Sequence, residues 1–376
     1  MKKKLFLGLL AAVTVTFTAC QKDEVINEVP QDQPIEFGTY VGRDAQTKAT
    51  ITTLSELKQS SEGFGVFAYY TDNTVYNPST TDIAPNFMYQ EQVKWNNSTN
   101  KWEYDPIKYW PNNDKKISFF AYAPFTEITN PAPGSNVTGI SANDAEGNPT
   151  VTFKVASSVD QQVDLLYGYA LNQTIAANGP SGTSTEGVKF TFNHALSKIG
   201  FKANTTNANE NQNKVTINSV TLTGKFTTQA TISLYDGSIT NPSEPGGTEY
   251  TVNFTTDNTA TGSTAQALSA TQGNIMIIPT DEFNGTSSIT ISVNYNLQVY
   301  DTNINGNYSA SVNKTETGTI SDINFEQGKA YTIVMTISPS QEITFAVEQI
   351  ITEWDEDLND NGNTTDDEKP VTVPNA

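Results

Sequence analysis

The chain contains one cysteine, Cys20, and its thiol is the first group that could do chemistry. Lys2, Lys3 and Lys4 precede an apolar run from Leu5 to Phe17, which ends in Thr18 and Ala19 immediately before the cysteine. A basic start, a short apolar run and a small-residue stop form an export signal, too short to span a bilayer with its flanks. Small residues just ahead of a cysteine resemble a bacterial lipobox, in which cleavage before Cys20 leaves an N-terminus that carries a lipid. An ordinary secretory signal with an incidental cysteine is the alternative. Because the sole cysteine stands at the cleavage position, lipidation is preferred.

A second candidate lies near the C-terminus. Asp357, Asn359, Asn361, Gly362 and Glu368 fit the calcium-loop spacing D-x-[DN]-x-[DN]-G-x5-E. Oxygen ligands at the first, third and fifth positions plus a glutamate at the twelfth suit a hard cation, and the glycine supplies the turn. No amphipathic helices flank the loop, and asparagine at two positions weakens its charge. A solvated acidic tail is therefore preferred, with calcium as the alternative occupant. Bound calcium would order the tail and reduce repulsion among eight carboxylates from Glu353 to Glu368.

Catalytic constellations are hard to find. His194 is the only histidine, which excludes paired-histidine zinc sites and leaves any serine triad dependent on one residue. It sits in an alternating stretch beside Phe192 and Leu196, where a hydrogen-bonded structural role is expected. No GxSxG, GxxxxGK or GxGxxG follows a strand. The carboxylates are many but stand in no catalytic frame, so no enzymatic activity is expected.

Arg43 and Lys48 bracket a polar connector, Arg43-Asp44-Ala45-Gln46-Thr47-Lys48, behind Ile35, Phe37 and Val41, which share one side of a period-two pattern. An exposed basic connector can enter the cleft of a trypsin-like protease. On local grounds alone these are ordinary solvated loop charges.

The elements that must carry these residues are strands. Residues 21–376 suffice for two domains, low in charge and rich in Thr, Asn, Ser, Gly and aromatics. With no cysteine after position 20, no internal disulfide can form, so stability must come from burial and sheet pairing. The net charge is −20, from 41 acidic and 21 basic residues. Removal of residues 1–43 leaves that balance unchanged, since five residues of each sign are lost. Such a surface repels nucleic acid.

In chain order, one short helical turn is expected within 49–59, and strands at 63–70, 87–93, 101–109, 116–124 and 150–155. A short apolar stretch follows at 164–168, and then 188–203. The polar run Asn204 to Asn213 reads as a linker. Further strands are expected at 215–222, 230–234, 249–254, 274–279, 288–299 and 331–337. Many short strands on both sides of one linker predict two β-sandwiches. Glu342 to Trp354 is a last β-rich stretch, with Ile343, Phe345, Val347 and Ile351 on one face and Gln349 as the break.

These features together resemble the Bacteroides fimbrillin (Mfa-like) family of type V pilins. The matching residues are the lipobox at Cys20, Ile35-Glu36-Phe37 with its arginine connector, and Tyr109-Trp110-Pro111 followed by 117–122 (ISFFAY). Phe192-Asn193-His194-Ala195-Leu196-Ser197-Lys198-Ile199 completes the set. Gln21-Lys22-Asp23-Glu24 is similar to the acidic signal that sends lipoproteins to the outer surface in such bacteria. The resemblance covers most of residues 1–205, and the second half matches mainly in architecture.

The resemblance implies an all-β chain of two tandem transthyretin-like β-sandwich domains. It gives a lipoprotein signal at 1–19, a propeptide with a removable first strand at 20–43, and domains at 44–204 and 205–341. Residues 342–376 hold the donor-strand candidate and the acidic tail. It further implies a precursor at the cell outer membrane, held only by its lipid, and a mature subunit in the fimbrium serving in adhesion. A trypsin-like protease would cut after Arg43, with Lys48 the fallback, and a terminal strand of the next subunit would fill the opened groove. Ile343, Phe345, Val347 and Ile351 are the expected plugs, unless that stretch completes its own domain. The expected partners are other fimbrial subunits, and a stalk position is preferred over tip or anchor. The rival reading is a monomeric surface lipoprotein that binds glycan through exposed Trp95, Trp102 or Trp110.

Overall fold

A computed structural model describes residues 33–41, 54–111, 115–129, 135–179, 187–205, 213–243, 247–255, 258–260, 263–280, 288–321, 323–337 and 346–353. In chain order the strands are β1 (Phe37–Val41), β2 (Phe64–Asp72), β3 (Met88–Asn96), β4 (Lys101–Glu103), β5 (Lys116–Ala123), β6 (Val137–Ile140) and β7 (Thr150–Lys154). There follow β8 (Leu166–Gln173), β9 (Val188–His194), β10 (Ser197–Thr205), β11 (Lys214–Gly224), β12 (Gln229–Ser233), β13 (Ile239–Ser243) and β14 (Thr248–Asn253). The remainder are β15 (Thr259–Ala260), β16 (Gln266–Ala267), β17 (Ile275–Ile277), β18 (Ile289–Gln298), β19 (Val312–Ile320), β20 (Lys329–Ile337) and β21 (Ala346–Glu353). The described helices are short: α1 (Leu54–Gln59) and α2 (Ile175–Asn178). The chain is all-β, as its composition predicts.

Four sheets form. One has seven strands in the order β1-β9-β8-β5-β2-β3-β4 and another has four, β13-β12-β7-β6. Two have five: β16-β10-β20-β21, with β17 also on β10, and β14-β11-β18-β19, with β15 also on β11. The central strands β2 and β5 of the seven-stranded sheet are buried on both faces, and their successive residues point to opposite sides. Phe67, Tyr69, Phe120 and Tyr122 enter a large core shared with the other sheets. Phe64, Val66, Phe119 and Ala121 enter a smaller core, closed by Leu57 of α1, Trp102 and Trp110. Sequences such as GFGVFAYY are apolar throughout for this reason.

The boundary expected at 204/205 does not separate sheets. Asn204, expected to open a linker, lies inside β10, where Phe201, Ala203 and Thr205 alternate inward. β10 runs parallel to β20, from Lys198 opposite Ala330 to Thr205 opposite Ile337. β7 pairs with β12, Thr150 opposite Ser233. Two sheets thus draw strands from both sides of that point. The apparent single stretch 188–203 is two strands: β9 ends at His194, and the chain passes through Ala195 and Leu196 into another sheet at Ser197. Residues 104–109, expected to continue a strand, leave β4 after Glu103 and run on through Pro106.

Candidate functional site

The opening segment 33–41 is built into the fold on both of its flanks. On one side the Ile35 amide donates to the Lys108 carbonyl at 2.9 Å, and the Trp110 amide to the Gln33 carbonyl at 2.8 Å. The Tyr104 hydroxyl donates to the Ile35 carbonyl at 2.9 Å. On the other side the Val188 amide donates to the Glu36 carbonyl at 2.8 Å. From there β1 runs parallel to β9, with Phe37, Thr39 and Val41 opposite Val188, Phe190 and Phe192. The segment therefore satisfies backbone groups that would otherwise be orphaned in an apolar setting.

Side chains alternate as this pairing requires. Ile35 and Phe37 are buried, Pro34 and Glu36 are exposed, Gly38 is buried and Thr39 is half-buried. The Phe37 ring lies 5.3 Å from Tyr104, 5.7 Å from Phe119 and from Phe190, and 6.3 Å from Phe64. Such edge-to-face and stacked ring contacts add to the plain gain from burial. Trp102 Nε1 donates to Thr39 Oγ1 at 3.0 Å, fixing the strand lengthwise. The Lys101–Glu36 ion pair at 2.7 Å is solvent-exposed and adds little.

One backbone position is set by this approach. Gly187 has φ of +75°, and a Cβ there would stand 2.2 Å from the Glu36 carbonyl oxygen. Only glycine allows the chain to turn here and still leave room for the neighbouring strand. Burial pushes the Tyr104 hydroxyl up to about 12. At neutral pH it is protonated and remains a donor to Ile35.

His194 and Asp164 form a buried pair, Nδ1 against Oδ2, inside the fold. Asp164 Oδ1 also accepts the Leu165 amide at 2.9 Å. Burial pushes the Asp164 carboxyl up, and the His194 imidazole pulls it down. The pair tethers the end of β9 to the start of β8, the structural role expected of the only histidine.

The other predicted residues fall in several places. Cys20, Arg43 and Lys48 lie outside the described residues, as do Ile343, Phe345, Asp357, Asn359, Asn361 and Glu368. Val347 and Ile351 are on β21, which pairs antiparallel with β20 of its own chain, opposite Met335 and Tyr331. β21 is the outermost strand of that sheet. No group of three or more His, Cys, Asp or Glu able to hold a metal occurs among the described residues. Among those residues no helix is long and apolar enough to cross a membrane.

The glycan reading through exposed tryptophans requires correction. Trp102 and Trp110 are buried, against Phe64 at 4.9 Å and Phe119 at 6.1 Å respectively. Trp95 is half-buried, edge-on to Trp102 at 5.3 Å, with the Lys58 ammonium 4.1 Å from its ring centroid. The rings line the smaller core because the sheet face beneath them needs cover. Tyr104 and Gly187 have roles that sequence reading missed. The glycine directly before the apolar alternation of 188–192 was the available sign.

Residues 47–354 match the family model described as fimbrillin-like, a span that leaves out the opening strand. Fimbrium subunit Fim1C of Phocaeicola vulgatus is 28% identical over 384 aligned positions, covering 93% of this chain and 96% of that protein. A crystal structure of a fimbrial protein from Bacteroides vulgatus ATCC 8482 superposes with a TM-score of 0.68 at 24% identity. It covers 86% of this chain and all of that one, and at this identity the likeness speaks for the fold. With the match running over most of its length, the chain belongs to the fimbrillin-like family.

Proposed function

We propose that this chain is a structural subunit of surface fimbriae serving in cell adhesion, assembled by strand exchange after proteolysis. Family membership supports the subunit reading. The observation that carries the exchange reading is the seating of the opening strand: Ile35 and Phe37 are core residues, yet the strand lies at the edge of its sheet. Arg43 follows Val41 by two positions, so a trypsin-like cut there, or at Lys48, frees the whole strand.

Its departure leaves the edge of β9 and the backbone at 108–110 without partners beside uncovered aromatic rings. That state is costly, and an incoming strand relieves it. Main-chain pairing supplies affinity, and alternate side chains supply specificity. The donor is the C-terminal stretch of the next copy, with Ile343, Phe345, Val347 and Ile351 as plugs. Among the described residues β21 has one ladder, to β20, so its release breaks a single set of the described pairings. A head-to-tail contact of this kind does not close on itself and grows a filament, which suits a stalk subunit.

The precursor is held at the outer membrane by a lipid on Cys20 and loses that tether at the cut. Its partners are other fimbrial subunits, with no nucleic acid. No cofactor is required, and residues 355–368 act as a solvated tail. Limited trypsin treatment of residues 21–376 tests this. The expected result is a nick after Arg43 or Lys48, followed by heat-labile ladders that resist SDS. Complete nicking with no ladders overturns the exchange.

A further inference from the structure

We infer that Ile343 to Val347 of a second copy replace Ile35 to Thr39 residue for residue, parallel to β9, with Phe345 in the place of Phe37. This rests on the exchange reading above and adds the register and direction that it lacks. The slot states its own requirements. It takes a large aliphatic side chain inward at Ile35, a solvated one at Glu36, and an aromatic ring at Phe37. It then takes a small buried residue at Gly38 and a β-branched one at Thr39.

Ile343-Thr344-Phe345-Ala346-Val347 meets each requirement in the same order. Ile117-Ser118-Phe119 and Ile323-Asn324-Phe325 share the first three, but Phe120 and Glu326 follow where the slot needs a small residue. Direction follows from the same pattern. Run backwards, the segment would put Thr344 into the buried Gly38 position and spend Ala346 on the solvated one. A one-residue slip would take Ile343, Phe345 and Val347 off the inward positions. A two-residue slip would leave Val347 or Ile343 in a space bounded by four aromatic rings, with a void around it.

The exchange is uneven at two points, the first being Gln349, which falls in the place of Val41 opposite Phe192. At the second, Val347 has no oxygen for Trp102 Nε1, which Thr39 accepts from in the precursor. On the other side of the balance, a segment in the slot pairs with β9 and is also bonded to 108–110 through its first residues, whereas among the described residues β21 pairs with β20 alone.

Cysteine pairs test the register, because the chain's sole cysteine leaves with the leader. In the inferred register Glu348 takes the place of Tyr40, opposite exposed Thr191. Trimmed T191C is mixed with trimmed E348C and allowed to polymerise. After mild oxidation the cross-linked peptides are mapped by mass spectrometry. Separate mixtures use A346C or I350C, the positions that a two-residue slip would bring to Thr191. The expected result is a T191C–E348C cross-link exceeding the two controls by about tenfold, the factor that 1.4 kcal/mol carries. F345A slows ladder growth more than V347A does, a readout that needs no cysteine.

Ladders whose cross-link peaks at position 346 or 350 overturn this register and leave the exchange standing. Failure of the unsubstituted trimmed protein to form ladders sinks both.

Discussion

The ring of Phe37 stacks on that of Phe190 at 5.7 Å between centroids and 26° between planes. They sit on neighbouring parallel strands, with Phe190 opposite Thr39 in register. The first described strand is thus held by residues far along the chain, and by no sequence neighbour of its own. In the proposed exchange, loss of this strand would uncover the edge of β9 for a similar one.

The first prediction concerns Phe37. Truncation to alanine empties the space among Phe64, Tyr104, Phe119 and Phe190, and should cost the precursor about 3 to 5 kcal/mol. A lowered urea midpoint of residues 21–376 measures it. After cleavage at Arg43 residue 37 is gone, so ladder growth of the trimmed F37A protein should match that of its parent.

Gly187 offers a second check. Gly187→Ala forces a Cβ against the Glu36 carbonyl in a backbone region that disfavours side chains. The expected loss is about 2 kcal/mol or more. Hydrogen exchange at the Val188 amide, which donates to Glu36, should accelerate in the precursor. An unchanged rate there would show that the close approach is unimportant.

Alkaline pH should destabilise the protein. Burial pushes Tyr76, Tyr104, Tyr122, Tyr250, Tyr295 and Tyr331 up to about 12. An unfolded tyrosine ionises near its ordinary value of about 10. The folded state therefore binds more protons between these values. Stability is fully present below pH of about 10 and is lost as pH rises toward about 12. Urea midpoints measured across that window should fall steadily, and Tyr104→Phe should reduce the slope.

Breaking the buried pair gives the fourth test. His194→Ala leaves the Asp164 carboxyl buried without its imidazole partner and should cost about 3 to 5 kcal/mol. Adding D164N to H194A should recover part of that loss, since an amide is cheaper to bury than a carboxylate. Equal destabilisation by the single and double variants would assign the cost to packing instead.

Much was legible locally. Val188 to His194 and Ile289 to Gln298 alternate apolar and polar residues, and both are strands with the apolar side buried. The lone histidine between Phe192 and Leu196 is structural. The expected export signal, basic connector and acidic tail lie outside the described residues. β19 escaped notice because Val312 to Ile320 is a mostly exposed edge strand without apolar alternation. It is held by backbone pairing to β18 and by amide contacts such as Asn294 to Asn313.

By itself the amino-acid order determined that the chain makes strands, and which side of most strands is apolar, since a period of two is a local property. It could not determine neighbours. That β1 lies on β9, that β10 joins β20 across the expected boundary, and that Trp102 and Trp110 close a core were decided by tertiary structure. Partner choice depends on backbone groups and side-chain shapes brought together from distant parts of the chain, and no local pattern encodes it.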